Sequence, residues 1–248
     1  MLPKLINLEK ILLEVMNPIR IQILQILNEE DQNLSKLATK IGLVSNSEIS
    51  RHLSRLGEQS LIRKERETGR YYQITAFGKA IMNSLDNFVF LSINSDYFTD
   101  HSIADIPLSL QSQISVLQNA EIISGTGNVM HKIKEFMELP IKKLRIIVDS
   151  GYPFLNTEAE ISVIVPESMN TTENQEDPSL KSFKIGLLPS VPITMALCDL
   201  EIGIIAFPRE SENNPDVSKC FYIQDPQGIK FLEQIWVFFW DKAQKISN

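Results

Sequence analysis

The sequence predicts an α+β chain in two parts: a small helical head ending in a β-hairpin, then a larger α/β body closed by one long helix. Three observations carry this expectation. The chain has 248 residues and a mass of 28.2 kDa, more than one minimal domain and suited to two of about 100–150 residues each. Helix-period patterns fill the early sequence, whereas β-branched runs bounded by turn residues follow later. Charge is also divided unevenly. Residues 1–85 hold 12 Lys and Arg against 9 Asp and Glu, a net of +3; since the totals are 24 and 31, residues 86–248 hold 12 against 22, a net of −10. A basic head on an acidic body points to nucleic acid at one end only. The expected division is therefore 1–85 and 86–248.

In the head, Leu5, Leu8, Leu12 and Val15 recur at helical spacing. Asn17 followed by Pro18 starts a second helix, IRIQILQILNEE, as an N-cap and a first helical residue should. A third, LSKLATKIG, places Leu34, Leu37, Ala38 and Ile41 on one side and ends at Gly42. The fourth begins at Ser45 or Asn46. Its Ile49, Leu53 and Leu56 face a core, which leaves Ser47, Ser50, Arg51, Ser54 and Arg55 on the other side. Small hydroxyls beside two arginines suit a helix laid into a DNA major groove, because serines let the backbone approach while arginine reaches guanine edges or phosphates. A solvated helix face would show the same residues, and the next segment discriminates. LIRKE, RETG and RYYQIT read as two short strands around a turn at Gly69, with Tyr72 and Ile74 inward and Arg66, Thr68 and Arg70 at the tip. A tip dense in arginine serves phosphates or a minor groove. Helix, helix, turn, helix, basic hairpin is the order of a winged helix-turn-helix.

NPIRIQILQILN, LSKLATKIG, ISRHLSRL and LIRKERETGRYYQITAFGKAI together resemble the winged-helix domain of ArsR-like archaeal and bacterial regulators, over about residues 10–85. The resemblance implies a transcriptional regulator that binds operator DNA as a dimer. Metal-sensing members carry a cysteine cluster on the third helix; no cysteine occurs there in this chain, so metal sensing is not implied.

The body begins with a connecting helix over DNFVFLSINSDYF. Pro107 then starts another, with Leu110, Ile114 and Leu117 as its stripe. EIISGTGNVMHKIKE reads as strand, turn and helix; KLRIIVDSG, EISVIVPES, FKIGLLP, ITMALC and IGIIAF read as strands; Asp225 and Pro226 cap a long final helix. The polar stretch at 167–179 reads as a loop. DYFTDHSIADIP, the strand pattern and IWVFFWDKAQKI resemble the C-terminal domain of archaeal regulators related to the methanogenesis and filament-formation regulator. HSIADIP departs from that family's His-Asp-Leu-Ser-Gly-Ile-Pro pattern. The resemblance implies a sensory or assembly domain.

Catalytic chemistry finds little support. Gly125 and Gly127 lack the third glycine of a dinucleotide fingerprint, Met130 standing in its place, and neither a phosphate-binding loop nor a nucleophile elbow occurs. His52, His101 and His131 are far apart. His52 is expected as a satisfied packing residue, His131 on an exposed helix face, and His101 as either a ligand group or part of a turn. Cys198 and Cys220 exclude a disulfide scaffold but leave a redox pair open. Trp236, Phe238, Phe239 and Trp240 cover most of the last helix's circumference, so Trp236, Phe239 and Trp240 are the expected dimer contact, with an apolar effector pocket as the second reading. The first residues do not read as a signal peptide, so the glycosylation acceptor pattern Asn170-Thr171-Thr172 carries no meaning. No apolar run is long enough for a membrane span. The expectation is a cytoplasmic, dimeric, sequence-specific DNA-binding regulator that is not an enzyme and uses no metal or cofactor. Its expected partners are operator DNA, a second copy and, as an open option, a small-molecule effector. The alternatives are a protein-interaction module of the transcription apparatus and an enzyme with a winged-helix docking domain.

Overall fold

The computed structural model describes residues 2–42, 45–149, 159–169, 183–210, 216 and 218–246. The chain divides into two compact units, 1–88 and 89–248, with the boundary inside one helix. The reading of 167–179 as a loop and the Asn170 acceptor lie mainly or wholly outside the described residues.

The first unit contains helices α1 (Leu2–Val15), α2 (Pro18–Glu29), α3 (Leu34–Ile41) and α4 (Asn46–Glu58), the start of α5 (Ala76–Ile93), and strands β1 (Gln32–Asn33), β2 (Ile62–Lys64) and β3 (Tyr71–Ile74). Local chemistry sets the helix ends. The Asn17 side chain accepts the Arg20 N–H with Pro18 at the first position, Asn33 accepts from Lys36, and Ser45 accepts from Glu48. Gly42 closes α3 at φ +84°, a conformation that favours glycine. β3 pairs antiparallel with β2 on one side and with the two-residue β1 on the other, in the order β1-β3-β2. Ile23, Leu24, Leu37, Ile49, Leu53, Leu56 and Leu61 form the fully buried centre, so one face each of α2, α3 and α4 is committed to packing.

The second unit opens with two single-turn helices, α6 (Ser95–Phe98) and α7 (Leu108–Gln111). It is built on an eight-stranded sheet: β4 (Glu121–Ser124), β5 (Lys143–Ile147), β6 (Glu160–Pro166), β7 (Lys184–Leu188), β8 (Thr194–Cys198), β9 (Ile202–Ala206), β10 (Lys219–Ile223) and β11 (Gln244–Ile246), in the order β11-β7-β6-β5-β8-β9-β10-β4. The pairs β5–β6 and β6–β7 are parallel; the others are antiparallel. Strict alternation sends Ile161, Val163 and Val165 to one face and Ile164 to the other, each face joining a separate core. Helix α8 (Thr126–Met137) contributes Val129 and Phe136 to one core. The closing helix, α9 (Pro226–Lys242), contributes Phe231, Leu232, Ile235, Trp236 and Phe239 to the other. Each such buried side chain is worth about 1.5–3 kcal/mol relative to exposure. Gly203 lets α9 approach the sheet: a Cβ there would lie 2.3 Å from Leu232 Cδ1. Among the described residues no helix is long and apolar enough to cross a membrane.

Several expectations are corrected. The helix expected after Pro107 is broken into the single turn α7 and a 3₁₀ segment (Ile114–Asn119). The Ser112 hydroxyl and the Gln113 amide both donate to the Ser109 carbonyl, diverting backbone acceptors from a continuous helix; Leu110, Ile114 and Leu117 are nonetheless buried. KCFYI and QKI, not expected as strands, are β10 and β11. The dimer contact expected on the last helix does not hold for Trp236 and Phe239, each 5% exposed within the core of their own unit. Trp240 is half-buried and stacks on Trp236 at 5.2 Å between ring centroids. The redox pair is also overturned. Cys198 is level with Ile202 of β9, whereas Phe221↔Ile205 sets Cys220 level with Ala206. Four residues along the strand and two strand spacings across separate them by about 16 Å, against the roughly 7 Å limit of a disulfide.

Candidate nucleic-acid interface

Helix α4 is held by Ile49, Leu53 and Leu56, and its opposite side is open: Ser47, Arg51, Ser54 and Arg55 are exposed and Ser50 is half-buried. The Ser47 hydroxyl is 3.0 Å from that of the capping Ser45, which places it in the first turn. Among the described residues Arg51, 72% exposed, meets only the Glu48 carboxylate, at 4.0 Å.

Arg55 is placed differently. Its Nε and Nη2 donate to Glu14 Oε1 at 3.2 and 3.0 Å, although its side chain remains 54% exposed. Glu14, on α1, is itself buried. Its other oxygen lies 2.7 Å from Arg20 Nη1, a charge contact without the alignment of a hydrogen bond. Arg20 donates further to the Glu14 and Leu13 carbonyls. Sequence reading missed Glu14; its signal was an acid inside an otherwise apolar helical stretch. His52, on the same helix as Arg55, is buried as expected but not satisfied, since neither ring nitrogen has a hydrogen-bond partner among the described residues. Burial, with Arg20 close by, pushes the pKa of this imidazole down.

The hairpin tip holds Arg66, Thr68 and Arg70, all exposed, around Gly69 at φ +63°. Thr68 is committed to the turn: its hydroxyl donates to Glu65 at 2.6 Å and accepts the Arg70 N–H at 3.2 Å. The guanidinium groups of Arg66 and Arg70 are the tip's exposed cations, with the exposed Glu67 between them. Lys64 lies over the Tyr72 ring and Arg63 donates to Gln73, at 3.4 Å, along the flanks.

In the body, His101 is a structural residue. It stacks on Tyr97 at 3.9 Å, its Nδ1 lies 2.7 Å from the Tyr97 carbonyl oxygen, and its Nε2 lies 3.0 Å from Asp216 Oδ2. His131 is exposed beside Glu135. Among the described residues no cluster of His, Cys, Asp and Glu could hold a metal ion.

An open arginine- and serine-bearing helix beside a basic two-stranded wing defines a winged helix-turn-helix domain. Residues 17–64 match the family model described as bacterial regulatory protein, arsR family, so an ArsR-family helix-turn-helix occupies that segment. TrmBL2, described as an archaeal chromatin protein with a novel mode of DNA binding, is 12% identical, with 93% of this chain and 95% of that one covered and a TM-score of 0.42. NolR from Sinorhizobium fredii is 30% identical over 35% of this chain and 87% of its own, at a TM-score of 0.32. Mb0332 from Mycobacterium bovis, whose fragment is described as a homodimeric winged helix-turn-helix DNA-binding domain, is 23% identical over 42% and 92%, also at 0.32. No curated protein matches the chain.

Proposed function

We propose that the chain is a dimeric, sequence-specific DNA-binding transcriptional regulator. The observation that carries this reading is the open face of α4 beside the arginine tip, both in the unit whose charge is basic. In this reading α4 enters the major groove through Ser47, Ser50, Arg51, Ser54 and Arg55, and Arg66 and Arg70 meet phosphate or the adjacent minor groove, with Thr68 shaping the turn between them. The acidic body confines DNA to the head by repulsion and is the place for an effector, whose binding would act by favouring one arrangement of the heads over another.

The second copy has a better surface than the closing helix. Leu8, Leu12 and Leu13 of α1 and Met16 just after it are exposed and line a groove of about 520 Å³, and Phe77 and Phe88 of α5 are exposed in the same unit. A row of large apolar side chains left in water by a folded domain favours pairing. Selection of fragments from genomic DNA by the purified protein, followed by salt titration on the best fragment and on random DNA, tests the reading. An inverted repeat bound far more tightly than random DNA is the expected result. Equal, weak binding to all DNA would sink it and favour a protein-docking wing.

A further inference from the structure

Glu14, Arg20 and Arg55 come from three helices, α1, α2 and α4, and meet at the Arg55 guanidinium and the Glu14 carboxylate. The side chains of Glu14 and Arg20 are 8% and 7% exposed, whereas that of Arg55 is 54% exposed. Arg20 is anchored twice over by backbone carbonyls, so Glu14 is not needed merely to hold it in place. Only the Nε side of the Arg55 fork is engaged, on a single carboxylate oxygen. Its other N–H groups have no partner among the described residues.

Two consequences follow from the chemistry of guanidinium. A phosphate contact needs charge, and a carboxylate 3.0 Å away, shared with Arg20, offsets part of that charge. A base-edge contact needs direction, because the O6 and N7 acceptors of guanine accept a fork in one plane. Fixing the fork beforehand also lowers the ordering cost at binding. Glu14 therefore diminishes Arg55 as a phosphate ligand and improves it as a base reader. Arg51 has only the looser Glu48 carboxylate, at 4.0 Å, beside it among the described residues.

We propose that Glu14 is a specificity-determining positioning residue, which from α1 orients the Arg55 guanidinium to read a base edge in the major groove. The proposal rests on the DNA-binding reading above and assigns within it which arginine reads sequence.

Binding-site selection from a random library, with the full chain and its variants, tests it through per-position base preference, salt slope and melting temperature. Arg55→Ala and Glu14→Gln should flatten the preference at the same base pair of each half-site, lowering discrimination there about tenfold. The double variant should be no worse at that position than Arg55→Ala alone. Glu14→Gln should leave the salt slope unchanged, since the same phosphates stay neutralised, and should not weaken binding to random DNA. Glu14→Asp, which keeps the carboxylate, should restore part of the preference. If Glu14→Gln does not fold, Arg55→Lys substitutes for it: the charge stays, the fork goes, and the same base preference should disappear. A purely structural role predicts instead a lower melting temperature with equal weakening on best and random DNA. That outcome, or intact base preference in Arg55→Ala or Arg55→Lys, overturns the proposal while leaving the DNA-binding reading in place. Wild-type protein without any sequence preference overturns both.

Discussion

Asp216 and His101 are 115 residues apart in sequence and meet inside the body. Burial pushes the Asp216 carboxyl up, but hydrogen bonds from Ser218, His101 and Arg209 outweigh it and hold the pKa at about 2. The folded value lies below the ordinary one, so the group stabilises the fold above about pH 4, and this is lost as pH falls through 2. The contribution is about 2 kcal/mol. Asp216→Asn should lower stability near neutral pH by a similar amount and flatten the acid limb between pH 4 and 2; chemical unfolding at a series of pH values measures both. The thiols behave in the opposite sense. Burial pushes Cys220 up to about 12 and raises Cys198 as well, so neither is a thiolate near neutral pH. A thiol reagent should label both only after unfolding, and an oxidant should leave the native mass without an intramolecular disulfide. His101 and Asp216 share no local pattern in the sequence, so the role of this histidine is not legible there.

Within the head, α5 approaches the hairpin so closely that a Cβ on Gly78 would lie 2.2 Å from the Leu61 carbonyl oxygen. Because the obstacle is backbone, it cannot rotate away. Gly78→Ala should destabilise by about 1–3 kcal/mol, the usual cost of overpacking, measurable by urea unfolding. The elements facing DNA should separate by function. Arg55→Ala is expected to weaken binding to the selected site by about 1–3 kcal/mol through loss of its base contact. Arg66→Ala and Arg70→Ala should weaken all sequences alike and lower the salt slope by about 0.9 for each phosphate no longer neutralised. Affinities across a salt series check this, and identical behaviour of the two groups would contradict the assignment. Helix identity was legible throughout the head because caps and apolar spacing are local. The break after Gln111 was not, since it turns on side chains competing for the Ser109 carbonyl.

At the scale of the molecule, the proposed pairing through the apolar surface of α1 is open to test. Leu12→Glu or Leu13→Glu should yield a monomer by light scattering and weaken operator binding, because one head then binds without its partner. Val237→Glu, on the 51% exposed side of α9, should leave the oligomeric state unchanged. Glu14 follows Leu13 on α1, so the helix that offers this apolar surface also holds Arg55 of α4.

The sequence by itself determined the order of head and body, the helices of the head with their caps, the basic hairpin and most of the sheet's strands. Each follows from short-range periodicity, turn residues and charge, which operate within a few residues. Only the tertiary structure decided which apolar residues were spent inside. Four aromatics crowd α9, yet a sheet wide enough to receive Trp236 and Phe239, with Gly203 admitting Leu232, leaves little of them at the surface. Conversely, Leu8 and Leu12 match a core stripe and remain exposed, because α1 directs its buried contacts through Val15 and Glu14. The strand register likewise separated the two cysteines. The carboxylate behind Arg55 was invisible for the same reason: an interaction spanning 41 residues leaves no period in the chain and exists only once three helices have packed.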